Sequence, residues 1–292
     1  MGIFTALLSL PYRATQRVLG AMGYDLVVRS RGSQTRFREG LNLNVGAGHY
    51  HIPGFVSLDY ISDYYHGGAT STAGIVHYDI RSDALPYDDE TVSNVYASHV
   101  IEHVESEHVE RFLVEAHRVL KPGGVLRIAC PDARFLYEVS SFENDYWKWR
   151  RDQFEHDERY EVQGDITQSD FLTRELASVK MRHYRHAGDA VMPAFDVKEE
   201  DYASLLETYR SGQSFNPEQP GEHINAWDMK RLHAIGVAAG FDHVIESKHR
   251  GSVSAAMQGP DMDQTQPQMS LYVEMIKGLS LIHISEPTRQ HH

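Results

Sequence analysis

Between Leu41 and Cys130 short apolar runs alternate with turn residues and helical periodicity, the pattern of a parallel sheet wrapped by helices. The runs predict strands over Leu41–Val45, Phe55–Leu58, Ile75–Tyr78, Ser93–Ala97 and Val125–Ala129. Ahead of the last one, Val109, Phe112, Leu113, Ala116, Val119 and Leu120 recur at three- and four-residue spacing, which makes one helical face apolar. That helix is expected to stop at Lys121-Pro122-Gly123-Gly124, because proline cannot extend the hydrogen-bond ladder and glycine tolerates a sharp reversal. From Ser140 to about His223 the regularity gives way to a charged, aromatic stretch with Tyr146, Trp147, Trp149, Arg150 and Arg151 close together, which reads as a helical insertion or lid. Periodicity resumes over Ala226–Ala239, with Gly240 placed to end a helix, and strands follow at Asp242–Ser247 and Ser270–Ile276. Residues 251–268, rich in Gly, Ser, Pro, Gln and Asp, read as a loop, and there is no internal repeat.

This gives an N-terminal helical extension over 1–40, an α/β core over 41–139, the insertion over 140–225, completion of the core over 226–278, and a tail over 279–292. The 292 residues with 41% hydrophobic content suffice for one large domain or two small ones, which excludes disorder as the main state. A net charge of −13 without any basic run disfavours nucleic acid as a partner. Cys130 is the single cysteine, so neither an intrachain disulfide nor a cysteine-built metal site is expected, and a reducing, cytoplasmic compartment fits. The apolar stretch Ile3–Leu10 lacks a basic start and meets Pro11 after about two turns, so it is read as an amphipathic helix and not as an integral membrane span. Met1-Gly2 is not read as a myristoylation signal, because position six is Ala6. The segment from Leu279 to Arg289 resembles a translated sequencing adapter. The tail is therefore expected to be non-native from about Gly278, which leaves the terminal His pair without meaning.

Asn44-Val45-Gly46-Ala47-Gly48 is an apolar strand running into two glycines, which let backbone N–H groups approach a ligand. A dinucleotide fingerprint would need a third glycine where His51 stands, and an acidic residue farther on than Asp59, so hydride-transfer chemistry is excluded. Too few residues separate Val45 from Phe55 for a usual crossover helix, so a turn around His49-Tyr50-His51 is expected there.

In order along the chain, these segments resemble a class I S-adenosylmethionine-dependent methyltransferase. Asn44 to Gly48 resembles the family's glycine motif, and Asp59 stands where the family binds ribose hydroxyls. His77-Tyr78-Asp79-Ile80 resembles the stretch whose Asp reaches the adenine amino group. Leu85-Pro86-Tyr87-Asp88-Asp89-Glu90 and Arg118-Val119-Leu120-Lys121-Pro122-Gly123-Gly124 resemble its later signature, and Ser270-Leu271-Tyr272-Val273-Glu274 resembles its last, antiparallel strand. The resemblance implies a doubly wound, mostly parallel seven-stranded Rossmann-like sheet with an antiparallel last strand and a helical insertion. It also implies S-adenosyl-L-methionine as cofactor, held by Asn44, Val45, Gly46, Ala47, Gly48, Asp59, Asp79, Ile80 and Ser98. The reduced first crossover, with Asn44 and Ala47, is similar to predicted methyltransferases found near sugar and polysaccharide genes. A carboxylate aimed at two vicinal hydroxyls would select a ribose, which suits Asp59; satisfying a strand-end turn is its bland alternative. For Asp79 that alternative is a cap ahead of Ile80 and Arg81.

His99-Val100-Ile101-Glu102-His103 also fits H-x-x-E-H, an inverted zinc-protease motif. That chemistry needs both imidazoles and the carboxylate on one long helix, whereas His99 directly follows a strand, so no metal is assigned. Ligands gather at the carboxyl ends of such strands, which places Ser98, His99 and Asp132 around the methyl group. His99 or Asp132 is the candidate base, and His223 an acceptor-side candidate. A structural hydrogen bond for His99 and a helix cap for Asp132 stay open. Trp147, Trp149, Arg182, His183, Tyr184, Arg185, His186 and Asn225 are further acceptor candidates, suited to a sugar or another hydroxylated ring. The expected activity is methyl transfer to an oxygen or nitrogen of a small-molecule or glycan-type acceptor. A non-catalytic methyltransferase-like binding protein is the alternative, and a zinc hydrolase using His99, Glu102 and His103 a third.

Overall fold

A computed structural model describes residues 40–48, 50–61, 74–140, 144–155, 168–178 and 201–279. The expectations for Ile3–Leu10, His49, Arg182 to His186 and the tail beyond Leu279 lie outside the described residues. Seven strands form one sheet: β1 Leu41–Val45, β2 Val56–Asp59, β3 Ile75–His77, β4 Val92–Ser98, β5 Leu120–Pro131, β6 His243–Glu246 and β7 Ser270–Ile276. Their spatial order is β3-β2-β1-β4-β5-β7-β6. The first five pair in parallel, and β7 runs antiparallel to both β5 and β6. This is a Rossmann-like sheet whose order reverses between β1 and β4, the place where such sheets leave a crevice at the strands' carboxyl ends. Among the described residues no helix is long and apolar enough to cross a membrane.

The α-helices among the described residues are α1 Ser106–Val119, α2 Ala133–Ser140, α3 Asp145–Glu155, α4 Gln168–Leu176, α5 Tyr202–Arg210 and α6 Met229–Ala238. Helix α1 buries the predicted apolar face, Val109, Phe112, Leu113, Ala116 and Val119. It ends two residues before the Lys-Pro-Gly-Gly turn because Leu120 already pairs with Val92, so β5 starts five residues earlier than its apolar run. Helix α6 starts three residues later than predicted: Trp227 bridges Asp132, and Asp228 caps the helix by accepting from the Arg231 amide. Gly240 follows it with φ +100°, as the predicted stop requires. Strand β2 is shifted by one residue at both ends from its predicted bounds, and β3 ends one residue early.

The two faces of the sheet differ. Leu43, Val45, Leu58, Val95, Ala97, Leu126, Ile128, Leu271, Val273 and Met275 point to one side and pack with α1 and α6 into the main apolar core. Each fully buried residue of this kind contributes about 1.5–3 kcal/mol relative to exposure. The alternating positions Asn42, Asn44, Ser57, Asn94, Tyr96, Arg127 and Glu274 are equally buried but polar. Burying them is tolerable only because they bond one another and the loop that covers them. Asn94 donates to Asn42 (2.7 Å), and Arg127 reaches Asp263 (2.6 Å) and Glu274 (3.1 Å). Met257 and Met262 from the 251–268 segment, with Ile52 and Phe55 from the turns before β2, supply apolar cover on this side.

Helices α2, α4 and α5 with Trp147 of α3 form a second apolar cluster around Leu136, Phe171, Leu172, Leu176, Leu205 and Tyr209. Its buried charges are matched: Glu175 accepts from Arg150 (2.6 Å) and pairs with Arg174 (2.9 Å).

Candidate functional site

The glycine turn after β1 is built by backbone contacts to β2. Gly46 and Ala47 donate their amides to the Leu58 carbonyl (2.9 and 3.2 Å). The Gly48 amide donates to Asp59 Oδ2 (2.8 Å), while Asp59 Oδ1 accepts from the Tyr60 amide (2.8 Å). Gly46 (φ +66°) and Gly48 (φ +50°) adopt the left-handed region, and a Cβ on Gly46 would come within 2.3 Å of Val100. At Gly48 nothing lies within 4 Å of that position, so its backbone faces open space. Between β1 and β2 the described residues form turns closed by Tyr50 N–H to Ala47 O and Phe55 N–H to Ile52 O, with no helix, as the short spacing predicts.

These turns border a cavity of about 290 Å³. Of the predicted cofactor residues, Val45, Gly46, Ala47, Gly48, Asp59, Asp79, Ile80 and Ser98 line it, and so does His99. Asn44 does not; it donates to the Tyr50 carbonyl (3.1 Å) and lines a smaller adjoining hollow with Tyr96 and Ser98. Asp79 carries its own partner: Arg81 donates to both carboxylate oxygens (2.9 and 2.7 Å), and the Arg81 amide bonds Oδ1 as well. The Arg81 guanidinium lies 3.7 Å from the Phe215 ring centroid and 5.0 Å from that of Tyr60, so cation–π contacts close this end of the cavity. Tyr50, Tyr60, Tyr78, Arg81, His103, Phe215, Pro220 and Thr265 line the cavity without having been assigned to it from the sequence. Phe215 and Pro220 lie in the irregular 211–227 segment, where no periodicity indicates which side chains face inward. Burial, with Glu115 and Asp83 nearby, pushes the Tyr78 hydroxyl far up, so it stays protonated.

His99 stands at the end of β4 with φ +54°, a left-handed conformation that costs energy for a non-glycine residue. Its Nδ1 lies 3.0 Å from Glu102 Oε1 and its Nε2 is 2.8 Å from Ser270 Oγ, so both ring nitrogens are engaged. Glu102 and His103 sit on the single 3₁₀ turn Ile101–His103, not on a long helix with His99, and the inverted zinc-protease arrangement is not formed. Burial opposes ionisation of Glu102, but the charge and hydrogen bond of His99, with His103 and His223 beyond, prevail and hold its carboxyl at about 2. Burial and then His103 push His223 down to about 4.

Asp132 is not among the cavity-lining residues; its Oδ1 accepts from the Arg134 and Phe135 amides and caps α2. Burial raises its carboxyl above the ordinary range despite those two bonds. His223 also lies off the cavity wall, its amide donating to Ser178 Oγ (2.8 Å) and its Nδ1 facing the Glu175 carbonyl. Trp147 is 3% exposed within the second apolar cluster, and Asn225 fastens the Val104 carbonyl (2.9 Å). Neither reaches the cavity, whereas Trp149 is exposed on α3.

Residues 62–128, well under half of the chain, match the family described as Methyltransferase domain. That match indicates S-adenosylmethionine as the cofactor. No curated protein matches the sequence. Among solved structures, a SAM-dependent methyltransferase of Thermotoga maritima, described as a possible histamine N-methyltransferase, is 15% identical over 82% of this chain and 83% of its own, with a TM-score of 0.37. A SAM-dependent methyltransferase from Aquifex aeolicus is 12% identical over 82% of both chains, with a TM-score of 0.36. The CMeT domain of the citrinin polyketide synthase is 11% identical over 83% of this chain, with a TM-score of 0.37, and the present chain spans 48% of that chain's length.

Proposed function

We propose that the chain transfers a methyl group from S-adenosylmethionine to an oxygen or nitrogen of a small or glycan-linked acceptor. The observation that carries this reading is the Asp59 carboxylate, fixed by the Gly48 amide at the rim of a cavity entered by the glycine turn. The residues fit the cofactor: an apolar wall for a flat base, a carboxylate for a diol, and at Gly48 a backbone without side-chain obstruction. When bound there, S-adenosylmethionine supplies an electrophilic methyl on a sulfonium.

In this reading Asp59 accepts from the ribose hydroxyls while its bonds to Gly48 and Tyr60 keep it from rotating. Asp79 would reach the adenine amino group, with Arg81 holding its carboxylate in one orientation, and Ile80 would line the same pocket. Ser98 and His99 stand at the end of the central strand β4, toward the acceptor. Methyl transfer is an in-line displacement, so alignment and water exclusion carry most of the rate, and the closed aromatic end of the cavity serves the latter. His99 is the candidate proton acceptor on the wall, a role in which one ring nitrogen must release Glu102 or Ser270, while Asp132 and His223 stand off the wall. The likeness of the reduced first crossover to sugar-associated methyltransferases favours a hydroxylated acceptor.

Calorimetry with S-adenosylmethionine and S-adenosylhomocysteine tests the reading. The wild-type chain is expected to bind both, and Asp59→Ala to bind more than about tenfold more weakly, as the loss of one charge-assisted contact implies, with its fold retained. Equal affinity in the variant would reject the ribose role. Release of S-adenosylhomocysteine in the presence of hydroxylated acceptors separates an enzyme from a non-catalytic binding protein.

A further inference from the structure

We propose that Glu102, His103 and His223 bind one divalent transition-metal ion of the zinc class in the wall behind the cavity. One ligand atom from each residue lies within 4.8 Å of the others, close enough for a single ion to gather them with small side-chain movements. The two imidazoles pack at a ring-centroid distance of 5.0 Å.

The tautomers follow from the partners. His103 Nδ1 faces the Glu222 carbonyl (3.0 Å) and His223 Nδ1 faces the Glu175 carbonyl, and a carbonyl can only accept. Each ring therefore donates from Nδ1 and leaves Nε2 with its lone pair. A backbone carbonyl that fixes one ring nitrogen so that the other is a ligand is the usual outer-shell arrangement of metal-bound histidine. The third group is a carboxylate 1% exposed: Glu102 Oε1 lies 3.0 Å from His99 Nδ1, and neither carboxylate oxygen has a hydrogen-bond partner of good geometry. Two imidazoles, each with one lone pair left, and a buried carboxylate, with ligand atoms within 4.8 Å of one another, make a site for a cation of borderline-soft preference, which imidazole and carboxylate together select over magnesium or calcium.

The scaffold holds the three groups without the ion. The Ile224 and Asn225 amides both donate to the Glu102 carbonyl (2.9 and 3.1 Å), Trp227 Nε1 donates to the Ile101 carbonyl (2.9 Å), and Asn225 Nδ2 to that of Val104. Segments more than a hundred residues apart in sequence are thereby stapled side by side. His103 also lines the cavity, so the ion would stand on its wall. The site differs from the H-x-x-E-H reading in taking its second imidazole from His223, while His99 braces Glu102 from behind.

The test uses the full chain with His291 and His292 changed to alanine, stripped with a chelator and titrated with zinc and then cobalt(II). One equivalent is expected to bind, with a visible d–d absorption for cobalt and a rise in Tm. Glu102→Gln, nearly isosteric, and His103→Ala, at the cavity wall, are each expected to remove the stoichiometric step and the absorption. His233→Ala, on an exposed helix face, is expected to keep both. No stoichiometric binding by the parent chain, or binding that survives both Glu102→Gln and His103→Ala, would overturn the proposal. Binding of S-adenosylmethionine is read separately, so failure of the metal site leaves the cofactor reading standing, and the reverse.

Discussion

At the scale of single residues, Glu115 illustrates how the turn region before β4 is tied to α1. Its carboxylate accepts from Arg118 Nε (3.1 Å) and Nη2 (2.8 Å) and from the Leu85 amide (3.1 Å), and Arg118 reaches on to Asp89 (2.7 Å). The hydrogen bonds from Arg118 hold the Glu115 carboxyl below its ordinary range, against the effect of partial burial. A carboxylate with a lowered folded-state pKa stabilises the fold above the ordinary carboxylate range, and that contribution fades as pH falls through the lowered value. Glu115→Gln is expected to cost about 1–2 kcal/mol near neutrality and to flatten the acid side of the Tm–pH curve. Thermal melts of both proteins between pH 3 and 7 check this; parallel curves would refute it. Residue roles were legible where local chemistry dictates them. The two glycines and Gly240 needed only the backbone geometry of a turn. The Arg81 clasp on Asp79 and the pairing of His103 with His223 were hidden, because they join positions whose proximity only the tertiary fold creates.

At the scale of elements, strand positions were legible to within a few residues, since β1 and β7 follow directly from their apolar spacing. Faces were not read so fully. Leu-Asn-Leu-Asn-Val, Val-Ser-Leu-Asp, Leu-Arg-Ile-Ala-Cys and Leu-Tyr-Val-Glu-Met alternate with period two, and this alternation marks one apolar and one polar face. A parallel strand buried under helices on both faces would be apolar throughout, so the alternation carried the news that a polar loop covers one side. The centre of that side is Arg127, fully buried between Asp263 and Glu274. Arg127→Ala is expected to leave two buried carboxylates unmatched and to cost about 3–5 kcal/mol. Urea unfolding measures it, and a cost near that of an exposed ion pair would show that the two acids find other partners.

At the scale of the whole molecule, Cys130 reports on integrity. It lies fully buried near the end of β5, and burial pushes its thiol well above the ordinary range. A buried, protonated thiol is a poor nucleophile, so alkylation is expected to follow global opening only. Its rate should rise with denaturant in step with the loss of sheet signal; fast labelling of the folded chain would contradict the description of β5. The sheet order has a further consequence. Strand β6 is made before β7, yet among the described residues it finds its strand partner in β7 alone, while β7 fills the place beside β5. A ribosome that has released β6 but not Ser270–Ile276 therefore holds a nascent chain with a raw sheet margin and an Arg127 still lacking its Glu274 counterion. Chaperone capture or premature stops in that window would strike two strands at once.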